Sequence, residues 1–86
     1  ASAAKELENA IQAAEKAKEV GKKAETRYTT AGGEKTAKEY EAVETALEEQ
    51  ERALNATPQD TKAIEAATTK LVEATKVLEK ASAAKE

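Results

Sequence analysis

Apolar residues recur along most of this chain with the period of an α-helix. In the first third they stand three or four positions apart, which places them on one helix face. These positions are Leu7, Ala10, Ile11, Ala14, Ala17, Ala24 and Tyr28. The pattern predicts a helix over about residues 3–28. Gly21 lies on the same face, and the sequence leaves open whether the helix ends there or a neighbouring helix approaches closely.

The same periodicity predicts two further helices, over about residues 37–55 and 58–84. Their apolar stripes are Ala37, Tyr40, Val43, Leu47 and Leu54, followed by Ile64, Ala67, Leu71, Ala74, Leu78 and Ala81. Val72 and Val77 fall beside the last stripe, and we expect them to widen it. Three amphipathic helices with short connections predict an all-α fold, an antiparallel up-down-up three-helix bundle.

Two breaks separate the predicted helices. The first contains Gly32 and Gly33, which disfavour a helix interior, and the second contains Pro58. Thr36 to Glu39 matches a capping box, so we expect it to start the second helix. Thr57 to Asp60 matches a second capping box, with proline at the first helical position of the third helix.

One stretch of sequence occurs twice. Residues Ala81–Glu86 repeat residues Ala1–Glu6 letter for letter, 80 positions later. Self-similarity at a fixed period is typical of repeat proteins. We therefore predict that residues 1–80 form one tandem repeat and that residues 81–86 are the start of the next. The third helix would then continue through Lys80 into the first helix of the following copy, giving an elongated, semi-stiff rod.

Composition narrows the possible chemistry. The chain has no cysteine and no histidine, a net charge of −3 and only two arginines. These features argue against thiol chemistry, histidine-based proton transfer and a basic nucleic-acid surface. No apolar run is long enough to span a membrane. We expect no enzyme activity, no cofactor, no metal site, and no nucleic-acid or membrane partner.

Three groups of polar or aromatic residues are candidate contact surfaces, each with a structural alternative, and a fourth group consists of lysines. An acidic strip on the second helix could bind a cation weakly or could be a solvated face. Threonines could contact a partner or simply occupy helix flanks. The two tyrosines could stack on a sugar or peptide, or could close the bundle core. The lysines are too sparse for a phosphate site. The acidic strip is Glu41, Glu44, Glu48 and Glu51, and the tyrosines are Tyr28 and Tyr40. The threonines are Thr26, Thr29, Thr30, Thr61, Thr68, Thr69 and Thr75, and the lysines are Lys16, Lys18, Lys22 and Lys23.

Three stretches of the chain resemble FIVAR modules, the small three-helix domains of Gram-positive surface proteins. The similar stretches are Leu7–Ala14, Tyr40–Leu47 and Ile64–Ala74. The resemblance implies an extracellular, wall-anchored protein with many tandem modules, and roles in stalk building and in attachment to host matrix or glycans. No functional residue of that family maps onto a position of this sequence.

Together these observations predict a monomeric repeat of a bacterial cell-surface adhesin, acting as a stalk or spacer with weak matrix contact. Its expected partners are the neighbouring repeats of the same chain. One alternative is a repeat that itself binds a host protein or glycan. Another is a disordered desiccation protein, since those chains are also rich in Ala, Lys, Glu and Thr. A coiled-coil oligomer is a more distant alternative.

Overall fold

The computed structural model describes residues 2–86, which form three helices and no strand. They are α1 (Ala3–Thr30), α2 (Lys38–Asn55) and α3 (Thr61–Lys85). The α3 helix packs extensively against both others, whereas α1 and α2 contact each other much less. Near the ends of α1 and α3, Arg27 meets Glu86, so these two helices run in the same direction and α2 runs against them. The predicted all-α three-helix bundle is confirmed.

Helix α1 passes through Gly21 without a break. The glycine is buried where α1 meets α3: a Cβ atom there would lie 3.2 Å from Leu71 Cδ1 and 3.4 Å from Thr75 Oγ1. Of the two possibilities that the sequence left open, the close approach is therefore correct. The buried residues of α1 are otherwise four alanines and one tyrosine, so α3 meets a consistently small surface.

The core divides into two clusters along the bundle axis. The larger one contains both tyrosines, Val43, Leu71 and Leu78, together with small residues of α1 and α2. The smaller one lies near the beginning of α1, where Ile64 packs against alanines and the half-buried Leu7, Ile11 and Leu54 surround it. Most residues of the predicted stripes are thus buried or half-buried.

The prediction that a capping box at Thr36 starts α2 is wrong. Helix α2 begins at Lys38, and its N-cap residue is Ala37, which makes no side-chain capping bond. The preceding connection is held instead by Tyr28: the Gly33 amide donates to the Tyr28 carbonyl, and a Cβ at Gly33 would overlap the Tyr28 ring. Packing of this loop beneath an aromatic ring therefore sets where α2 starts.

The predicted start of α3 at Pro58 is also wrong. Helix α3 begins at Thr61, and its N-cap is Asp60, whose carboxylate accepts from the Lys62 amide. Thr57 and Pro58 lie in the connection. Next to them, Gln59 Nε2 donates to the Leu54 carbonyl over 2.7 Å. This bond satisfies a carbonyl at the end of α2, where helices leave acceptors free, and it keeps Gln59 outside α3.

The buried face of α3 also differs from its predicted stripe. Val72 and Val77 are exposed rather than part of a wider core. The face runs instead through Thr75 and Ser82, which are buried, while Ala74 and Ala81 are half-buried. Because α3 touches α1 on one side and α2 on the other, its buried face is broad enough to include polar positions.

The close approach at Gly21 can be tested by filling it. We expect Gly21→Leu to lower the free energy of unfolding by about 2–3 kcal/mol, because the new side chain must displace Leu71 and Thr75 from a packed seam. Urea denaturation followed by circular dichroism measures the change. Lys23→Leu, at an exposed position two residues along α1, is the control and should stay within about 0.5 kcal/mol. Equal effects of the two leucines would contradict the packing described for Gly21.

Candidate interaction surfaces

The acidic strip predicted on α2 does not converge on one point. Glu41, Glu44, Glu48 and Glu51 occupy exposed positions along the helix. Across residues 2–86, no group of three or more acidic side chains is arranged to hold a metal ion. Glu48 and Glu51, with Glu44, border a shallow cleft of about 170 Å³ between α1 and α2, whose other wall includes Lys18 and Lys22. Cations of the protein itself therefore face this part of the strip.

The same cleft contains an acid pair that the sequence patterns did not reveal. Glu25 on α1 lies beside Glu44 on α2 in this cleft. The second carboxyl oxygen of Glu25, Oε2, is buried without a hydrogen-bond partner. Burial, and then the neighbouring carboxyl of Glu44, raise the pKa of Glu25 to about 7, although Lys22 and Lys35 act in the opposite direction. The α1–α2 contact thus holds a carboxyl that titrates near neutral pH.

Three of the seven candidate threonines form side-chain hydrogen bonds within the fold. The hydroxyl groups of Thr26 and Thr29 donate to backbone carbonyls one turn earlier in α1. Thr68 Oγ1 accepts from the Nε2 of Gln50, a fully buried amide on α2. Thr75 is buried beside Gly21, and its Oγ1 has no hydrogen-bond partner. Thr30 and Thr69 are exposed, and Thr61 is half-buried at the start of α3.

Both tyrosines lie at one end of the core rather than on a binding surface. Their ring centroids are 6.1 Å apart, in a tilted arrangement. Tyr28 Oη donates to Glu39 Oε1 over 3.2 Å. Burial, followed by this hydrogen bond, raises the pKa of Tyr28. Because both rings are almost entirely covered, neither offers a face for stacking on a sugar or peptide.

An open apolar groove runs between α1 and α3. It has a volume of about 380 Å³, and the exposed Val20 and Val72 line it together with Lys16, Lys76 and Glu79. A second group of cations, Lys22, Lys23 and Arg27, borders a shallow depression on α1. These cations lie along α1 rather than around a common centre.

The end of the bundle that contains the tyrosines also holds residues 81–86. Helix α3 continues through Lys85, so all but the last of these residues are helical. Ser82 is fully buried, and Glu86 forms an ion pair with Arg27 in which Nη2 and Oε1 are 2.7 Å apart. The repeated segment is therefore part of this bundle's structure.

Comparison of the chain with protein-family models, curated proteins and solved structures gives no match. The FIVAR resemblance therefore remains a prediction. Among residues 2–86, none of the helices has the length and apolar character that a membrane span requires.

The Glu25–Glu44 pair predicts a specific pH dependence. A folded-state pKa of about 7 against 4.5 for the free side chain means that the folded chain binds more protons between these values. The free energy of unfolding should therefore fall as pH rises from about 4.5 to 7. We expect Glu25→Gln to be more stable than the native chain by about 1 kcal/mol at pH 8, allowing for solvent screening, and to show little gain at pH 4.5.

Thermal melts across this pH range measure the effect. Glu19→Gln, at an exposed position of α1, is the matched control and should keep the native pH dependence. Glu86 does not interfere, because Arg27 lowers its pKa, so its own contribution is lost only at more acidic pH. A Glu25→Gln variant with the native pH profile would show that the pair does not titrate as described.

Proposed function

We propose that this chain is a repeat module of a bacterial cell-surface adhesin, and that tandem copies of it build an elongated stalk. One observation carries the proposal: most of the repeated segment is helical in both places. Ala3–Glu6 lies in α1, and Ala83–Lys85 lies in α3. If the two occurrences are superimposed, α3 of one copy and α1 of the next become a single helix.

The observed helix bounds give the length of the shared helix. Helix α1 continues through Gly21, so the joined helix would run from Thr61 to the next copy's Thr30. That is about 50 residues, or roughly 75 Å at 1.5 Å per residue. A single module measures 45 × 20 × 14 Å. Long helices shared between small bundles would resist bending at the junctions, which is what a spacer requires.

The contact between Arg27 and Glu86 indicates how far each module would extend the stalk. In the array, Glu86 is the next copy's Glu6, and it lies level with Arg27. Twenty-one residues of helix separate Glu6 from Arg27 within a copy, so each module would advance the stalk by roughly 30 Å. The resemblance to FIVAR modules supports placing such a stalk outside the cell, anchored to the wall.

A repeat that itself binds a host protein or glycan is the second candidate, and the exposed valines of the α1–α3 groove favour it. Weak binding by one module would be strengthened by avidity in an array. Single-copy and two-copy proteins should therefore be tested in parallel against serum and matrix proteins. We expect neither to bind. Binding that becomes much tighter in the two-copy protein would favour the binding repeat over the spacer.

The disordered alternative predicts a different response to heat. A bundle with a packed core should show strong helical circular dichroism and a cooperative thermal transition. A disordered chain would give a weak signal that changes gradually with temperature. We expect the cooperative transition, and its absence would favour the desiccation protein.

The shared helix can be tested by joining two copies so that residue 80 of the first is followed by residues 1–86 of the second. X-ray scattering should give a rod with a maximum dimension of roughly 80 Å. Ala3→Pro in the second copy, which stands where Ala83 stands in the single chain, should kink it, because proline inside a helix removes a hydrogen bond and clashes with the preceding turn.

Ala3→Pro of the first copy is the matched control. The first copy's Ala3 has the same neighbours on its C-terminal side but is the first residue of α1, where proline is tolerated. The rod should therefore persist in this variant. Scattering typical of two freely jointed bodies, already present without any substitution, would contradict the proposed stalk.

A further inference from the structure

The segment Ala81–Glu86 completes the end of this bundle. The fully buried Ser82 donates its hydroxyl to the Leu78 carbonyl over 3.1 Å, and Ala81 packs against the larger core cluster. Lys85 Nζ lies 5.8 Å from the centre of the Tyr28 ring. Glu86 accepts two hydrogen bonds from Arg27, at 3.1 Å from Nε and 2.7 Å from Nη2. Four of the six residues thus contact the bundle.

The same letters near the beginning of the chain, from Ser2 to Glu6, have a different environment. Ser2 is exposed and caps α1 by accepting from the Lys5 amide. Lys5 pairs with Glu8 on its own helix rather than with an aromatic ring. Glu6 is exposed. Because the six letters are the same, the difference arises from the surface that receives residues 81–86, which includes Arg27, Tyr28 and Leu78.

We propose that this end of the bundle is a docking site for the first turn of a following copy, so that each bundle in an array is completed by residues 1–6 of its successor. The inference rests on the proposed tandem arrangement. The occupant is defined by sequence identity, since the segment that fills the site here has the letters of residues 1–6. In this arrangement Arg27 of one module holds Glu6 of the next.

The consequence is a junction that is fixed by side chains as well as by a continuous helix. A backbone helix alone can bend gradually. The two-point contact of Arg27 with the successor's Glu6 would also fix the direction in which the next module leaves. Loosening of the successor's first turn would uncover Leu78 and Tyr28 in the predecessor, so neighbouring modules would unfold together, as in other repeat proteins.

The receiving site is tested first in the chain itself. Ser82→Asp places a carboxylate where Ser82 has no exposed surface, and it should lower the melting temperature by about 10 °C or more. Ser2→Asp is the matched control, because it has identical neighbours and aspartate is a good N-cap. It should change the melting temperature by no more than about 2 °C. Equal responses of the two serines would overturn the docking site.

The junction is tested next in the two-copy protein. The sequence has no cysteine, so Gln12→Cys in each copy gives two unique sites for nitroxide labels. We expect electron–electron distance measurements to give a narrow distribution centred near roughly 30 Å, the advance per module. Arg27→Glu in the first copy should broaden it about two-fold, since like charges then meet at the junction. Adding Glu6→Arg in the second copy, the residue that takes the place of Glu86 at the junction, should make it narrow again.

Lys16→Glu in the first copy is the control for a charge reversal away from the junction, and it should leave the distribution narrow. A narrow distribution in every variant would overturn the docking contact while leaving the shared helix intact. A broad distribution in every variant, including the unsubstituted protein, would overturn the stalk and the docking site together. Restoration by the reversed pair supports the inference, because general destabilisation would not be repaired by a second charge reversal.

Discussion

The contact between α1 and α3 is the constraint on which the rest of the structure depends. Alanines and Gly21 on α1 let α3 approach until Leu71 almost reaches the α1 backbone. With few large side chains available, close packing of this kind supplies the dispersion contacts that a larger core would otherwise provide. Helix α2 adds little contact to α1 and is held mainly by α3.

The parallel course of α1 and α3 also determines what the bundle can be used for. A parallel third helix leaves the bundle at the end opposite to the one where α1 begins. Successive copies can then extend in a line, with no connection doubling back along the outside. The position of Glu86 level with Arg27 is one expression of this geometry. An antiparallel third helix would return α3 to the start of α1.

Much of this fold can be predicted from the sequence, because the number, order and buried faces of the helices follow from the spacing of apolar residues. Helix starts were less predictable. Thr36 and Thr57 both match capping boxes, yet the ring of Tyr28 over Gly33 and the bond from Gln59 to Leu54 place the helix starts elsewhere. Both are contacts between residues in different turns or elements, which a local motif does not contain.

The polar residues of the core were missed for a related reason. Gln50 stands three residues after Leu47 and four before Leu54, so helical spacing alone could have placed it on the buried face. Its partner, Thr68, belongs to another helix, and no local pattern links the two. The Glu25–Glu44 pair is similar, since each glutamate by itself resembles any residue of a solvated face. Identifying such pairs requires the register between helices, which only the folded structure provides.

That register, together with the repeat, also indicates how neighbouring bundles would be arranged in the proposed array. Leu78 and Ser82 are the last buried residues of α3, and Ala10 and Ala14 are the first buried residues of α1. Along the shared helix, Ala10 and Ala14 of the next copy follow Leu78 and Ser82 by about 12 residues, which is three and a third helical turns. The two core faces therefore point roughly 120° apart. Consecutive bundles would thus lie on different sides of the helix that joins them. The residues between the two cores include small ones, such as Ala83 and Ala84, which leave room for both neighbouring bundles. The array would therefore wind around its axis, and each module would keep its own core.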